Sequence, residues 1–188
     1  MKIYSPTHLH WIGQGFGVEN TVPSLLAFYQ SLGLKGHDGL DFQVNCVNTQ
    51  LIHGGQCDQV FANVEGDGDL TVSYIQKDDV KGWGIIATDQ LWNKFLWWHF
   101  DIINPDVVVG KILKPGDLLG VSGDTGYSTG AHCHFAYYKY GEDYQNGYHG
   151  ACDPMPFYTP RFICDVEKQI GIIKMLIDLY TKIISLWK

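Results

Sequence analysis

The sequence predicts a mostly β domain: a small antiparallel sheet with a short N-terminal helix and a C-terminal amphipathic helix. Three observations carry this. Short apolar runs rich in Val, Ile and aromatic residues recur at close spacing between Leu70 and Tyr138. Turn chemistry separates them, with 22 glycines in 188 residues and signals such as Lys114-Pro115-Gly116-Asp117. Helical periodicity appears only near the two ends. A hydrophobic content of 45% suits one domain with a sizeable core.

Residues 5–20 hold short apolar pieces broken by glycine and read as a strand and a turn. Thr21 to Leu32 reads as a helix. Pro23 sits near its start, Thr21 is placed to cap it, and Leu25, Leu26, Phe28, Tyr29 and Leu32 form one apolar stripe. Gly33 stops it. Residues 43–69 are polar and glycine-rich, a long loop with a short strand near Val60-Phe61-Ala62. Strands are expected at Leu70 to Gln76, Trp83 to Asp89, Lys94 to Asp101 and Leu118 to Ser122. The glycine-rich run Gly120 to Gly130 then leads into a further strand, His132-Cys133-His134-Phe135-Ala136-Tyr137-Tyr138. Period-two alternation puts His132 and His134 on one face with Ala136 and Tyr138, and Cys133, Phe135 and Tyr137 on the core face. Asp153-Pro154 to Pro160 closes the domain, giving a boundary of 1–160.

Residues 161–188 form a separate tail. From Val166, Ile170, Ile173, Ile177, Tyr180, Ile184 and Trp187 make one apolar seam, and Ile172, Leu176, Leu179, Ile183 and Leu186 a second beside it. This predicts an amphipathic helix with a wide apolar face over 166–188, suited to self-association, to docking on the domain or to a membrane surface. The formal net charge of −7 excludes general attraction to nucleic acid. Met1 to Pro6 lacks the apolar stretch of a secretion signal, and no run of apolar residues is long enough to cross a membrane. The five cysteines, Cys46, Cys57, Cys133, Cys152 and Cys164, are irregularly spaced and form no C-x-x-C, which argues against a disulfide framework or a cysteine zinc knuckle. Cys46 and Cys57 flank one loop and would pair only in an oxidising compartment.

The chemistry-bearing residues cluster in three stretches. Taken alone, His132 and His134 suit a metal or acid–base site as well as a hydrogen-bonded strand end. Gly36-His37-Asp38-Gly39-Leu40-Asp41 adds one imidazole and two carboxylates. Zinc takes nitrogen and oxygen ligands in a tetrahedron, and a catalytic site keeps one position for water. His37, Asp41 and His134 would supply three ligands, with His132 on the same face and able to reach the water. His99 lies in Phe95-Leu96-Trp97-Trp98-His99-Phe100, where alternation places it with Phe95 and Trp97. A histidine in so apolar a strand needs a polar partner, either in the site or in the core. A second His-x-His, His8-Leu9-His10, has no carboxylate or glycine loop nearby and reads as structural or surface.

Together these stretches resemble the lysostaphin- and LytM-type zinc metallopeptidases that cut peptides in bacterial peptidoglycan. Gly36 to Phe42 resembles the family's Gly-x-His-x-Gly-Ile-Asp-Phe. Gly116 to Phe135 resembles its long glycine run ending in His-x-His-Phe, and Leu96 to Phe100 its Leu-Tyr-x-His-Leu. Gln14 to Gly17 resembles the opening Gly-Phe-Gly, and Asp153-Pro154 the closing Asp-Pro. The match spans about residues 12–158. The resemblance implies a small duplicated-hybrid-motif type β domain with a groove across it. It implies one zinc ion held by His37, Asp41 and His134, with His132 and His99 as the catalytic pair beside the water. It makes Tyr29 a candidate for the family's intermediate-stabilising tyrosine. Two departures stand out: a longer cysteine-bearing loop between Phe42 and Val60, and a segment from Asp89 to Lys94 that is not the usual His-Gly turn. The expected function is a zinc-dependent peptidoglycan endopeptidase of phage type, made in the cytoplasm and acting at the wall. The alternative is a non-catalytic scaffold or structural virion module on the same fold.

Overall fold

The computed structural model describes residues 1–9, 11–45, 57–66 and 68–163. The helix expected over 166–188, nearly all of the tail expected over 161–188, His10, and the Cys46 half of the expected Cys46–Cys57 pair lie outside the described residues. No helix among the described residues is long and apolar enough to cross a membrane.

The described strands are β1 (Lys2–Ser5), β2 (Ile12–Gln14), β3 (Leu40–Gln43), β4 (Gln59–Phe61), β5 (Val64–Glu65), β6 (Leu70–Asp78), β7 (Gly82–Thr88), β8 (Lys94–Ile103), β9 (Ile112–Leu113), β10 (Leu118–Ser122), β11 (His132–Tyr138), β12 (Ala151–Cys152) and β13 (Tyr158–Phe162). The main sheet runs β2-β3-β11-β8-β7-β6-β9, with β12 beside β11 and with β10 pairing both β8 and β4. Its pairs are antiparallel. A second, three-stranded sheet orders β13-β1-β5, and there β1 and β13 pair in parallel. The sequence reading missed this small sheet because its strands come from opposite ends of the domain and are short.

Alternation builds the core. Leu40 and Phe42 of β3 and Cys133, Phe135 and Tyr137 of β11 are buried against Phe95, Trp97 and Phe100 of β8. Ile3 and Val64 of the small sheet close over them. On the other face of the main sheet, Leu96, Trp98 and Ala136 form a separate buried cluster. That face also carries Asp41, His132 and His134.

Two local expectations need correction. Period-two alternation does not hold through His99, which has φ 68°. Trp97 pairs Ile85 and Phe100 pairs Trp83, so three steps on β8 answer two on β7. This bulge inserts one residue, keeps Phe100 in the core and turns His99 to the face of Leu96 and Trp98. The N-terminal helix is also shorter than expected. A 3-10 turn at Pro23–Leu25 leads into α1 (Leu26–Ser31), with Val22 at the cap position and no side-chain cap. Thr21 does other work: its hydroxyl donates to the Gly17 carbonyl at 2.8 Å and accepts the His37 N–H at 2.8 Å.

Candidate active site

The floor of the site is set by strand register. Asp41 of β3 lies directly opposite His134 of β11, so their side chains share one face. His37 sits just before β3 and is fully buried. Its backbone is fixed by Thr21, by the Gly17 N–H donated to its carbonyl at 2.9 Å, and its Nδ1–H donates to the Gly15 carbonyl at 2.8 Å. The ring is thereby held with Nε2 as its free lone pair.

Three atoms converge there. His37 Nε2 is 3.0 Å from His134 Nδ1 and 3.1 Å from Asp41 Oδ1, and His134 Nδ1 is 2.9 Å from the same oxygen. One ligand atom from each residue lies within 4.8 Å of the others. With the Nδ1 proton of His37 committed to Gly15, a neutral His37 offers only a lone pair toward the carboxylate. Lone pairs facing one another at this range call for positive charge between them, either a proton on His37, whose pKa Asp41 raises against the cost of burial, or a metal ion. Two imidazoles and a carboxylate form a nitrogen and oxygen donor set that fits a divalent metal such as zinc. Against the cost of burial, the His37 and His134 imidazoles hold the Asp41 carboxyl well below the usual range, so it stays ionised.

The other two histidines border this cluster. The rings of His99 and His132 lie 4.5 Å apart, and His132 Nε2 is 3.5 Å from Asp41 Oδ1. Each is anchored through Nδ1: His99 donates to the Thr125 carbonyl and His132 to the Gly130 carbonyl, both at 2.8 Å. Each keeps Nε2 as the unprotonated nitrogen of the neutral ring. Burial, helped by neighbouring His132 and His134, lowers the His99 pKa to about 3. The structure therefore brings His37, Asp41, His99, His132 and His134 together. His8 lies apart, edge-on to Phe162 with ring centroids 5.7 Å apart.

A cleft of about 430 Å³ opens over Asp41, His99, His132 and His134. One wall is α1 and its approach, which present Val22, Leu25, Phe28 and Tyr29, and the other is the loop carrying Tyr127 and Ser128. Phe28 stacks on Tyr127 with centroids 3.8 Å apart. Leu25, Phe28 and Tyr29 of the helix stripe thus line the cleft instead of entering the core. The Tyr29 hydroxyl accepts from Gln14 Nε2 at 3.1 Å, and burial together with Asp41 pushes its pKa up, so it stays protonated.

Comparison with known proteins places this geometry. No family model matches the chain. Lysostaphin of Staphylococcus simulans is 30% identical over 129 residues, covering 67% of this chain and 22% of that protein. The glycyl-glycine endopeptidase ALE-1 of Staphylococcus capitis is 29% identical over 130 residues, covering 67% of this chain and 30% of that protein. The solved catalytic domain of the Staphylococcus simulans lysostaphin superposes with a TM-score of 0.52 at 25% identity, over 78% of this chain and 90% of that one. The chain belongs to the lysostaphin/LytM-type peptidase family. A zinc-containing peptidase of Vibrio cholerae shares the fold, with a TM-score of 0.57 at 22% identity over 82% of this chain and 40% of that one. The chain spans less than a third of the length of the curated relatives it matches.

Within this lysostaphin/LytM-type chain, two polar residues escaped the sequence reading. Asp38 is buried beside His134, and Lys81 Nζ binds its Oδ2 at 2.8 Å. The departure at Asp89 to Lys94 is a tight turn in which Asp89 Oδ1 accepts the N–H groups of Leu91 and Asn93, each at 2.9 Å. Asp38 lies between His37 and Asp41 in the Gly36 to Phe42 stretch. Nothing in the sequence pointed to Lys81, which is 43 positions away.

Proposed function

We propose that this chain is a zinc-dependent endopeptidase that hydrolyses peptide cross-links or stem peptides of bacterial peptidoglycan. The observation that carries this reading is the convergence of His37, Asp41 and His134 at the floor of a cleft that His99 and His132 border. His37 and His134 would hold zinc through Nε2 and Nδ1, and Asp41 through its carboxylate. Bound there, zinc supplies Lewis acidity and makes water ionisable near neutral pH.

The chain's own groups supply the rest. The cleft walls, joined by the Phe28–Tyr127 stack, hold the extended peptide with its scissile carbonyl over the floor. His99 and His132 share the proton of the attacking water, since each presents an unprotonated Nε2 in a fixed orientation. The proton then passes to the leaving amine from the same pair. The protonated Tyr29 hydroxyl lines the cleft as a donor toward developing negative charge. With a net charge of −7, recognition of a wall polymer rests on this cleft and not on overall attraction.

Purified sacculi of different cross-link chemistry test the proposal. Chelator-sensitive release of fragments with new amino termini, identified by mass spectrometry, is the expected result. Release that persists in chelator overturns the zinc mechanism, and no release from any sacculus favours the non-catalytic alternative. A phage-type setting, with action at the wall after synthesis in the cytoplasm, belongs to the same proposal. Lysis or virion genes beside the coding sequence are the expected finding.

A further inference from the structure

His134 presents Nδ1 to the metal centre, so its proton sits on Nε2. That atom is buried and has no hydrogen-bond partner. Asp38 Oδ1 lies 3.6 Å from it. Asp38 is itself buried, at 4% exposure, and its other oxygen is held by Lys81 Nζ at 2.8 Å. Lys81 sits in the turn between β6 and β7. Asp78 Oδ1 accepts the N–H groups of Val80 and Lys81 at 2.7 Å each, which fixes that turn. Gly39 makes the approach available: a Cβ there would lie 2.8 Å from both His134 Cε1 and Nε2.

We infer that Asp38 is a positioning residue for the metal centre, its carboxylate facing the Nε2–H of His134 at 3.6 Å as an electrostatic partner and itself aimed by Lys81. The inference rests on the proposed metal centre and extends it. A ligating histidine gains basicity and a fixed orientation when its second nitrogen donates to a carboxylate. Lys81 engages one carboxylate oxygen and leaves the other toward the ring. The β6–β7 turn thereby reaches the metal centre through two side chains, although no residue in it is a ligand.

The simpler alternative is a salt bridge that only pins the turn. Zinc affinity measured by competition with a chromophoric chelator separates the two, on the wild-type chain, Asp38→Asn, Lys81→Met and the double variant. Melting of each metal-free variant checks folding. Positioning predicts about tenfold weaker zinc binding in Asp38→Asn, and an equal loss in the double variant, where no buried charge is left unpaired. It also predicts a shifted visible spectrum in both after cobalt substitution. A double variant that binds zinc as wild type does overturns the inference while leaving the metal centre standing. A wild-type chain that binds no zinc overturns both. Should Asp38→Asn fail to fold, the double variant carries the test.

Discussion

At the scale of single residues, the two histidines of β11 hold different stations. His134 lies among the three converging atoms, whereas His132 touches the cluster only through Asp41. His134→Ala is expected to lose metal and activity together, and His132→Ala to keep metal while losing activity by at least about a hundredfold. Metal content per chain checks this; equal metal loss in both overturns the division. Gly39→Ala would bring a Cβ to the Phe135 carbonyl oxygen as well as to 2.8 Å from the His134 ring, so melting temperature and metal binding should fall together. The pH dependence follows from His99. Its pKa falls from the usual 6.5 to about 3 in the folded chain, so between these values the unfolded chain holds a proton that the folded one does not. Its contribution to stability is therefore complete above pH 6.5 and is lost progressively as pH falls toward 3. Denaturant unfolding of the metal-free protein should show this acid slope, flattened in His99→Gln.

At the scale of elements, β8 matters more than its length suggests. The positive φ at His99 shifts phase within a strand whose residues 95–100 are all buried. Before the bulge, odd positions face the core; after it, Phe100 does. The run Phe95-Leu96-Trp97-Trp98-His99-Phe100 is apolar on both faces, so no alternation signal marked where the phase changed. The helix poses the opposite case. Its stripe of Leu25, Leu26, Phe28, Tyr29 and Leu32 was legible, yet the stripe only says that a face is covered, not by what. Here it borders a cleft. Phe28→Ala removes the stack on Tyr127, an interaction of roughly 0.5–1.5 kcal/mol. A several-fold rise in KM with a smaller change in kcat is expected on a defined peptide substrate, with melting temperature lower by about a few degrees.

At the scale of the molecule, Asn63 ties the two sheets. Its Oδ1 accepts the indole N–H of Trp97 on β8 at 2.8 Å, and its Nδ2 donates to the Tyr4 carbonyl on β1 at 2.6 Å. Both partners are buried, so Asn63→Leu strands a donor and an acceptor and should cost about 2–5 kcal/mol. Zinc affinity of the remaining folded protein should hold, because Asn63 acts on the core face and the metal centre on the other. Denaturant unfolding paired with zinc titration checks this, and a large affinity loss without destabilisation would contradict it.

The mostly β character, the longer strands between Leu70 and Tyr138 and the five candidate site residues were legible in the sequence. Each rests on short-range signals: alternation, turn chemistry and motifs a few residues long. Alternation put Cys133, Phe135 and Tyr137 in the core and left His132 and His134 on the other face. Only the tertiary structure decided what depends on distant segments meeting. It paired β1 with β13, shifted His99 into the site through a bulge, turned the helix stripe toward the cleft and set Lys81 against Asp38. None of these leaves a periodic trace, because the energy of each comes from a contact between positions that chain sequence does not make neighbours.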